Sequence, residues 1–530
     1  MHLEFQTIKR GLLAATTAVN VPLSLEAPDN AVQAPGNFMG FGFETAFIND
    51  YANSFTVNLL NSVAKRLDTV PIIRIGGTSG DRVTFDESQQ QVKVCIQGDC
   101  PIGSSASYIL GPSYFDGFKY LSDFGFTFQA PLGPVLNISN TAIYVSRAYE
   151  QVNKNNLAAV AIGNEPNLYS HQYNINYTLD QYVNGSKTIM DLVSKTLGFN
   201  DRVPMFEVLD LSSTKAQFNL IETFEDNLDS SKDAKIAAWH WYQLPGDYNT
   251  LAQQQEYLMN HTAIVLQFDP LKPQLEYLKQ NNPTVQPVLS ETGSGTQSSI
   301  EILSGFGAAL WCIDFQLYSL TQGISRVDAS HRPAALHSYW VPDNSAGTLN
   351  PGPQVRGVWY ALPFIADFLG PNPGKVIEVD MGSDTLVAYA IYDASTSAVS
   401  KLALINLRAW AIGDGSSRGS ETVSVPVSFG ISSVNVKRLQ SAAGAQAMGF
   451  DYAGPSENIT WAGEQWSYFI DRGNGHQVAG VAAEVSHPVS DGKVQIQIQD
   501  SEALSIEFWD SNLFGGKSHA CGQPGFPSCI

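Results

Sequence analysis

The sequence predicts an α/β fold in which a (β/α)8 TIM barrel is followed by a C-terminal antiparallel β-sandwich. Eight short apolar stretches without polar alternation, typical of strands buried on both faces, alternate with stretches of helical periodicity. No helix opens with a glycine-rich nucleotide-binding pattern, so an open nucleotide-binding sheet has no support. Beyond residue 370, helical periodicity nearly vanishes and short alternating strands replace it, as in a β-sandwich.

The starts of the apolar stretches define the predicted barrel strands. They lie near Asn37, Val70, Gly125, Ala158, Val203, Ala234, Val285 and Gly323. Helical periodicity separates the strands over residues 55–67, 114–124, 143–153, 179–197, 216–227, 271–279 and 300–320. A last helix over 358–368 closes the barrel, and the Gly-Pro-Asn-Pro-Gly stretch 370–374 reads as a linker.

These patterns divide the chain into four segments. Residues 31–370 form the barrel, and residues 371–530 form the sandwich with a cysteine-containing tail. The alternating strand within 19–30 has no helix to pair with, so we expect it to join the C-terminal sheet. In residues 1–18, a Lys-Arg pair precedes a short apolar run that ends in small residues, which fits a secretory signal or a frayed terminus equally well.

Length and charge limit the possible functions. At 530 residues the chain exceeds what one core usually supports, so two domains are expected. No stretch approaches the roughly 20 apolar residues of a membrane span. A net charge of −20 argues against nucleic acid and anionic membranes as partners, because both attract positive surfaces. We therefore expect a soluble monomer in mildly acidic surroundings.

Sequons and cysteines predict secretion. Asn-x-Ser/Thr glycosylation sites occur at Asn137, Asn176, Asn184, Asn260 and Asn458. Cys95 and Cys100 bracket a short turn, and Cys521 and Cys529 bracket a Gly/Pro-rich tail, so both pairs read as small disulfide loops. Cys312 lies alone in an apolar run. No Cys or His cluster has ligand spacing, and neither a metal nor a cofactor is expected.

Two glutamates follow predicted barrel strands. Glu165 comes after the buried stretch 158–162, where Pro166 stops regular pairing, and Glu291 ends predicted strand seven. Strands four and seven face each other across the lip where such barrels place catalytic groups. Two carboxylates about 5–5.5 Å apart suit a retaining glycosidase, with Glu165 as acid/base and Glu291 as nucleophile. Because like charges disfavour each other's ionisation, we expect Glu165 to be protonated beside ionised Glu291.

A non-catalytic role is the alternative for each glutamate. Glu165 would then be a surface carboxylate at a strand end, and Glu291 a helix N-cap anion near residues 296–299.

Five motifs in chain order carry a resemblance to a known family. They are Arg74-Ile75-Gly76-Gly77, Ile162-Gly163-Asn164-Glu165-Pro166-Asn167-Leu168-Tyr169, Trp239-His240-Trp241-Tyr242, Ser290-Glu291-Thr292-Gly293-Ser294 and Gly323-Ile324-Ser325-Arg326-Val327. With these motifs the chain resembles the fungal β-glucuronidases of glycoside hydrolase family 79, which are distantly related to heparanase. The resemblance runs from the opening residues 21–25 into the C-terminal β-domain. It implies a retaining mechanism with Glu165 as acid/base and Glu291 as nucleophile.

The resemblance also suggests substrate-binding residues. Asn164 would hold the sugar 2-hydroxyl, or merely close the strand end by a hydrogen bond. Glu44 matches a family position that contacts the sugar. Arg74, at the end of predicted strand two, would bond Glu291 or the base of strand one. Tyr242 and His240 end predicted strand six near the nucleophile. Tyr242 would orient the carboxylate of Glu291, although aromatic packing is the alternative.

The loop after strand eight departs from the family pattern. Uronate-binding members carry a Gly/Tyr/Arg-rich run there, whereas this chain has Ala335 and His337 in place of the expected tyrosines. Arg332 would restore a cation for a uronate carboxylate, because guanidinium binds carboxylates bidentately; a solvated loop charge is the alternative. We group Arg332 and His337 with the substrate-binding residues.

The sequence therefore favours a secreted, retaining exo-β-glucuronidase. Its carbohydrate substrate would be glucuronic acid or 4-O-methylglucuronic acid on polysaccharide or glycoprotein side chains. The alternatives are an exo-β-glycosidase for a neutral sugar and a non-catalytic carbohydrate-binding protein on the same barrel.

Overall fold

The computed structural model describes residues 18–97, 106–133, 137–152, 154–199, 203–213, 218–343 and 352–508. Apart from Ala18, the predicted signal segment 1–18 lies outside these residues, as do Cys100, Cys521 and Cys529. The two predicted disulfide loops stay predictions. Cys312 is a buried free thiol.

Eight parallel strands close into a barrel, which confirms the predicted fold class. In chain order they are β1 (Met39–Glu44), β2 (Ile72–Gly76), β3 (Gly125–Ala130), β4 (Leu157–Ile162), β5 (Phe206–Leu211), β6 (Ala234–Leu244), β7 (Gln286–Gly295) and β8 (Arg326–His331). Each strand pairs with the next along the chain, and β8 closes the ring onto β1. The carboxyl ends of all eight strands therefore meet at one mouth.

Helices cover the outside of the barrel. The α-helices up to the linker are Ile48–Tyr51, Ser54–Leu67, Asp116–Tyr120, Ile138–Gln151, Tyr169–Gln172, Leu179–Leu197, Leu220–Glu225, Leu251–Tyr257, His261–Phe268, Lys272–Asn281, Ile300–Ser304, Phe306–Thr321 and Ala361–Leu369. Short 3-10 turns cover Thr45–Phe47, Thr78–Arg82, Pro112–Phe115, Lys154–Asn156, Pro166–Leu168 and Gly357–Tyr360. A capping box of Thr178 and Gln181 starts the longest helix, and Gly198 ends it with φ +71.

The predicted helix 300–320 is in fact two helices. Gly305 is extended between them, and a Cβ at that position would collide with the carbonyl of Glu301. The next two amides, of Phe306 and Gly307, donate to carbonyls of Ala447 and Ala445 in the C-terminal domain. Contacts with that domain thus replace the helical hydrogen bonds that are lost at the break.

The C-terminal domain contains two sheets that share a core. One sheet has the order Val32–Gln33, Lys375–Val379, Leu386–Tyr392, Val399–Asn406, Glu502–Glu507, Ser433–Ser441, Ile459–Trp461, Glu464–Gln465 and His476–Gln477, with Val485–Pro488 also paired to Ser433–Ser441. The other contains Val19–Asn20, Ser420–Pro426 and Lys493–Gln499. Alternate apolar residues of both sheets, such as Leu404, Val425 and Ile496, pack between them.

The elements that remain are small. Short helical segments occupy Phe450–Ala453, Gly454–Glu457 and Tyr468–Asp471. Val83–Phe85, Lys93–Cys95 and Tyr108–Leu110 form a three-stranded sheet after β2, and Trp340–Val341 pairs with Gln354–Val355 after β8. Within the described ranges, no helix is both long and apolar enough to cross a bilayer.

The N-terminal strand is shorter than the sequence suggests. Only Val19–Asn20 pairs with the C-terminal domain as a strand, in parallel with Val423 and Ser424. Pro22 cannot donate to a neighbouring strand, so the strand stops there, although Val21 and Leu23 still pack in the sandwich core. An isolated bridge joins Glu26 to Ala398 further along. Residues 32–33 pair with the C-terminal sheet rather than with the barrel in which we had placed them.

The sequon asparagines occupy varied positions. Asn137 and Asn260 cap the helices that begin at Ile138 and His261. Asn176 and Asn184 are exposed, and Asn458 accepts a hydrogen bond from Gln465. Glycosylation at these positions stays a prediction.

A buried histidine joins the barrel to the C-terminal domain. His261 Nδ1 lies 3.0 Å from Asp314 Oδ1 within the barrel layer, and Nε2 lies 3.2 Å from Glu378 Oε1 in the sandwich. The Tyr389 hydroxyl also donates to Asp314. Burial opposes the charge on His261, but the two carboxylates outweigh burial and raise its pKa to about 10.

We predict that His261→Gln destabilises the protein most at acidic and neutral pH. Because the folded-state pKa lies above the ordinary 6.5, the stabilisation is complete below about pH 6.5 and is lost as pH rises towards 10. Thermal unfolding should show a loss of about 2 kcal/mol near pH 6 that shrinks near pH 10. Replacement of the exposed His171 is the control, and an equal loss at both pH values would contradict the assignment.

Candidate active site

The turn after β4 presents Glu165 to the barrel mouth. Gly163 and Glu165 both adopt left-handed backbone, with φ +72 and +49, and Pro166 then starts a 3-10 turn. The Glu165 amide donates to the carbonyl of Asp210 at 2.9 Å, which ties the turn to β5. The side chain is 15% exposed. Left-handed backbone at a non-glycine residue is uncommon and frequently marks a functional site.

Asp81 supports this turn from below. Its carboxylate accepts hydrogen bonds from the amides of Asn164 (2.9 Å) and Leu132 (2.8 Å), from Gln129 Nε2 (3.0 Å) and from the Tyr169 hydroxyl. Burial nevertheless raises the pKa of Asp81 to about 6. No sequence motif pointed to Asp81.

Glu291 lies on β7 and contacts three side chains. The Tyr242 hydroxyl donates to Oε1 at 2.7 Å, Arg74 Nη1 lies 3.5 Å from Oε2, and His240 Nδ1 lies 3.8 Å from Oε2. Burial favours the neutral carboxyl, but the charges of His240 and Arg74 and the Tyr242 hydrogen bond outweigh burial. The pKa of Glu291 is therefore held below its ordinary value.

His240 lies between the two glutamates. Its Nδ1 atom is 3.0 Å from Glu165 Oε1 and 3.8 Å from Glu291 Oε2, so these oxygens are no further apart than the sum of the two distances. That limit is compatible with the separation of about 5–5.5 Å in retaining glycosidases. Burial opposes protonation of His240, but Glu291, Asp210 and Glu165 raise its pKa to about 10. The ring is an imidazolium at neutral pH.

Arg74 projects from β2 into the barrel interior. Its Nη2 atom donates to Asn164 Oδ1 at 3.0 Å and to Asp210 Oδ1 at 2.9 Å, and Nε lies 3.4 Å from Glu207 Oε1. The guanidinium therefore fixes the Asn164 side chain as well as Glu291. Burial opposes the charge on Arg74, yet the surrounding carboxylates raise its pKa above the ordinary value.

Glu44 and Arg332 lie at the β1–β8 side of the mouth. Glu44 is the last residue of β1 and accepts a 2.6 Å hydrogen bond from the Ser79 amide. Burial, aided by Glu291, raises its pKa. Arg332 follows β8, and its charge acts on both Glu44 and His337. Its Nε atom is buried without a hydrogen-bond partner among the described residues.

A second arginine shapes the loop that carries His337. Arg356 Nη1 donates to the carbonyls of Ala335 (2.7 Å), Leu336 (3.0 Å) and Ser338 (3.2 Å). The His337 ring lies 5.2 Å from the Tyr242 ring. Burial and the Arg332 charge lower the pKa of His337 to about 4, so His337 is neutral above that pH.

The predicted strand ends were wrong at three places. We had placed Arg74, Glu291 and the pair His240 and Tyr242 at strand ends, but β2 continues to Gly76, β7 to Gly295 and β6 to Leu244. Polar side chains point into the mouth here while the backbone remains paired, with His240 opposite Glu291. Glu291 caps no helix, because Ser299 precedes the next one.

Sequence reasoning also missed the residues beneath the two glutamates. Asp210, Ser290 and Glu207 are fully buried. Asp210 contacts both Arg74 and His240, Glu207 contacts Arg74, and the Ser290 hydroxyl donates to Asp210. The only available signal was two acids in the apolar strand β5. Their spacing of three residues did not fit a regular strand with one inward face.

Comparison with known proteins gives this geometry a context. Residues 388–504 match the family model of the glycosyl hydrolase family 79 C-terminal beta domain. A β-glucuronidase of Aspergillus niger is 25% identical over 92% of this chain and 94% of its own, and one of Neurospora crassa is 25% identical over 93% and 97%.

A solved structure shares the fold. It is a 4-O-α-L-rhamnosyl-β-D-glucuronidase from Fusarium oxysporum in complex with Rha-GlcA, which is 23% identical and has a TM-score of 0.74. The match covers 92% of this chain and 100% of that one. The predicted resemblance is thus confirmed, and the chain is a glycoside hydrolase related to the fungal β-glucuronidases, with the C-terminal β-domain of family 79.

Proposed function

We propose that the protein is a secreted, retaining exo-β-glucuronidase that removes glucuronic acid or 4-O-methylglucuronic acid from polysaccharide or glycoprotein side chains. The observation that carries the proposal is the pair Glu165 and Glu291, which approach the same nitrogen of His240 at the barrel mouth. The similarity to two fungal β-glucuronidases over most of the chain supports the sugar assignment.

In the first half of the reaction, ionised Glu291 attacks the anomeric carbon. Its lowered pKa keeps the carboxylate available, and Tyr242 and Arg74 hold it in place. Glu165 transfers its proton to the glycosidic oxygen as the bond to the leaving group breaks. The products of this half are the released alcohol and a covalent glycosyl ester on Glu291.

In the second half, water replaces the leaving group. Glu165, now ionised, removes a proton from the water, which attacks the anomeric carbon and releases the ester bond to Glu291. His240 donates toward the ionised form of Glu165, while Asn164, held by Arg74, binds the sugar 2-hydroxyl. Two inversions retain the β configuration.

The uronate carboxylate would bind on the β1–β8 side of the mouth. The buried Arg332 Nε there has no hydrogen-bond partner in the described part of the chain, and the Arg332 charge acts on Glu44 and His337. A guanidinium suits a carboxylate ligand, and Glu44 would accept a sugar hydroxyl hydrogen bond. The second candidate is an exo-β-glycosidase for a neutral sugar, because Ala335 and His337 stand where uronate-binding members carry tyrosines.

We predict hydrolysis of an aryl β-glucuronide, but not of an aryl β-glucoside, near pH 4–5. The first-formed product, observed by NMR, should be the β anomer. Glu291→Gln should lower kcat at least about a thousandfold, since a carboxamide is a poor nucleophile. Glu165→Gln should slow substrates with poor leaving groups far more than nitrophenyl substrates. Glucoside turnover alone would favour the neutral-sugar candidate, and turnover of neither would favour a binding protein.

A second prediction concerns the acid limb of the pH profile. Tyr242→Phe removes the hydroxyl that donates to Glu291 and so raises the pKa of the nucleophile. Because only the ionised form attacks, the acid limb of kcat/KM should move to higher pH by about one unit. Tyr120→Phe, at an exposed tyrosine, is the control. An unmoved acid limb would contradict the role of Tyr242.

A third prediction tests recognition of the uronate. Arg332→Gln should lower kcat/KM for the aryl β-glucuronide by about 10- to 100-fold, the worth of one charged hydrogen bond. Any residual turnover of a neutral glycoside should be unchanged. Replacement of the exposed Arg147 by Gln is the control, and equal losses on charged and neutral substrates would reject Arg332 as the uronate ligand.

A further inference from the structure

Asp210 on β5 contacts several residues of the site, although no sequence pattern pointed to it. Its Oδ1 atom accepts hydrogen bonds from Arg74 Nη2 (2.9 Å) and Ser290 Oγ (2.6 Å), and lies 3.3 Å from His240 Nε2. Its backbone carbonyl accepts the amide of Glu165. The residue is fully buried, so it cannot touch substrate.

The backbone of β5 is irregular at this point. Leu209 and Asp210 have φ +81 and +42, and the pairing with β6 shifts register between Val208 and Leu211. In a regular strand Glu207 and Asp210 would face opposite sides of the sheet, but the bulge turns both toward Arg74. The Leu209 amide donates to the Tyr182 hydroxyl at 2.8 Å, which holds the bulge from the helix layer.

We propose that Asp210 is a positioning residue for both glutamates. Through Oδ1 it orients the two cations, Arg74 and His240, that contact Glu291, and through its carbonyl it fixes the turn that presents Glu165. A single residue in the β5 bulge thereby positions both the predicted nucleophile and the predicted acid/base. The kinetic part of this assignment rests on the proposed function, whereas the effect of Asp210 on the His240 ring does not.

The charge environment makes this role specific. The titratable and charged side chains that act on Asp210 or His240 are Arg74 on β2, Glu165 after β4, Tyr182 on the helix Leu179–Leu197, Glu207 on β5, Glu291 on β7 and Asp328 on β8. Arg326 on β8 pairs with Glu207 and Asp328. Among them Asp210 is the carboxylate that lies against Nε2, while Glu165 and Glu291 lie against Nδ1. Removing the charge of Asp210 therefore takes away the anionic partner of His240 Nε2.

The first test observes His240 directly and needs no substrate. In protein with isotopically labelled histidine, the His240 signal is identified by its absence in His240→Gln, and its NMR titration is compared between wild type and Asp210→Asn. We expect a wild-type midpoint well above 6.5 and a midpoint lower by at least about one pH unit in the variant. An unchanged midpoint overturns the proposal. If the variant does not fold, a wild-type midpoint near 6.5 overturns it equally.

The second test is kinetic. Asp210→Asn should lower kcat on an aryl β-glucuronide by about 100-fold while KM changes less than about threefold, and should move the acid limb to higher pH. Asp314→Asn is the matched control, because Asp314 is equally buried and also bonds a histidine, His261, but lies on a helix outside the mouth. It should lose comparable thermal stability and less than about fivefold in kcat. Equal kinetic losses in both variants would reduce Asp210 to a structural role. A wild type without glucuronidase activity would reject the proposed function and leave the NMR result to decide on Asp210.

Discussion

The site depends on one imidazole ring that is shared by three carboxylates. Glu165, Asp210 and Glu291 all approach His240 within 3.8 Å, in a mouth with little access to water. The negative charges of Asp210 and Glu291, whose pKa values are both held low, would repel each other by a few kcal/mol at an effective dielectric constant of about 20. The imidazolium and the Arg74 guanidinium remove that repulsion, so the carboxylates can converge and Glu291 can remain ionised.

The barrel interior beneath the site is layered to support these charges. At the lower end Ala159, Ile236, Ala238 and Val288 form a small apolar cluster, separate from the main core outside the strands. Above it, Arg326 bonds Asp328 and Glu207 with no access to water. Burial and Asp210 raise the pKa of Glu207, and the charges of Arg326 and Arg74 oppose this shift. Acids and guanidinium groups below the mouth thus offset each other's charge.

The barrel was predictable from the sequence because its signal is periodic. Strands buried on both faces read as apolar runs, and Pro166 marked the end of β4. The contacts of the site were less predictable, because two of its strands are irregular. The β6–β7 pairing shifts so that Leu289 lies opposite Trp239 and Glu291 opposite His240, and the bulge in β5 brings Asp210 inward. Such bulges arise from packing between strands, and no local residue preference encodes them.

An anionic sugar places a further demand on this arrangement. A uronate adds a negative charge to a mouth that already holds Glu44, Glu165 and Glu291, on a chain of net charge −20. Arg332 supplies one compensating cation, while His337 is neutral above about pH 4 and offers no charge. Burial and Glu291 raise the pKa of Glu44, so this acid gives up its negative charge more readily as the pH falls. A glucuronidase built this way should bind its substrate best in acidic surroundings, because acidity removes a repelling charge from the pocket while Glu291, with its lowered pKa, stays ionised.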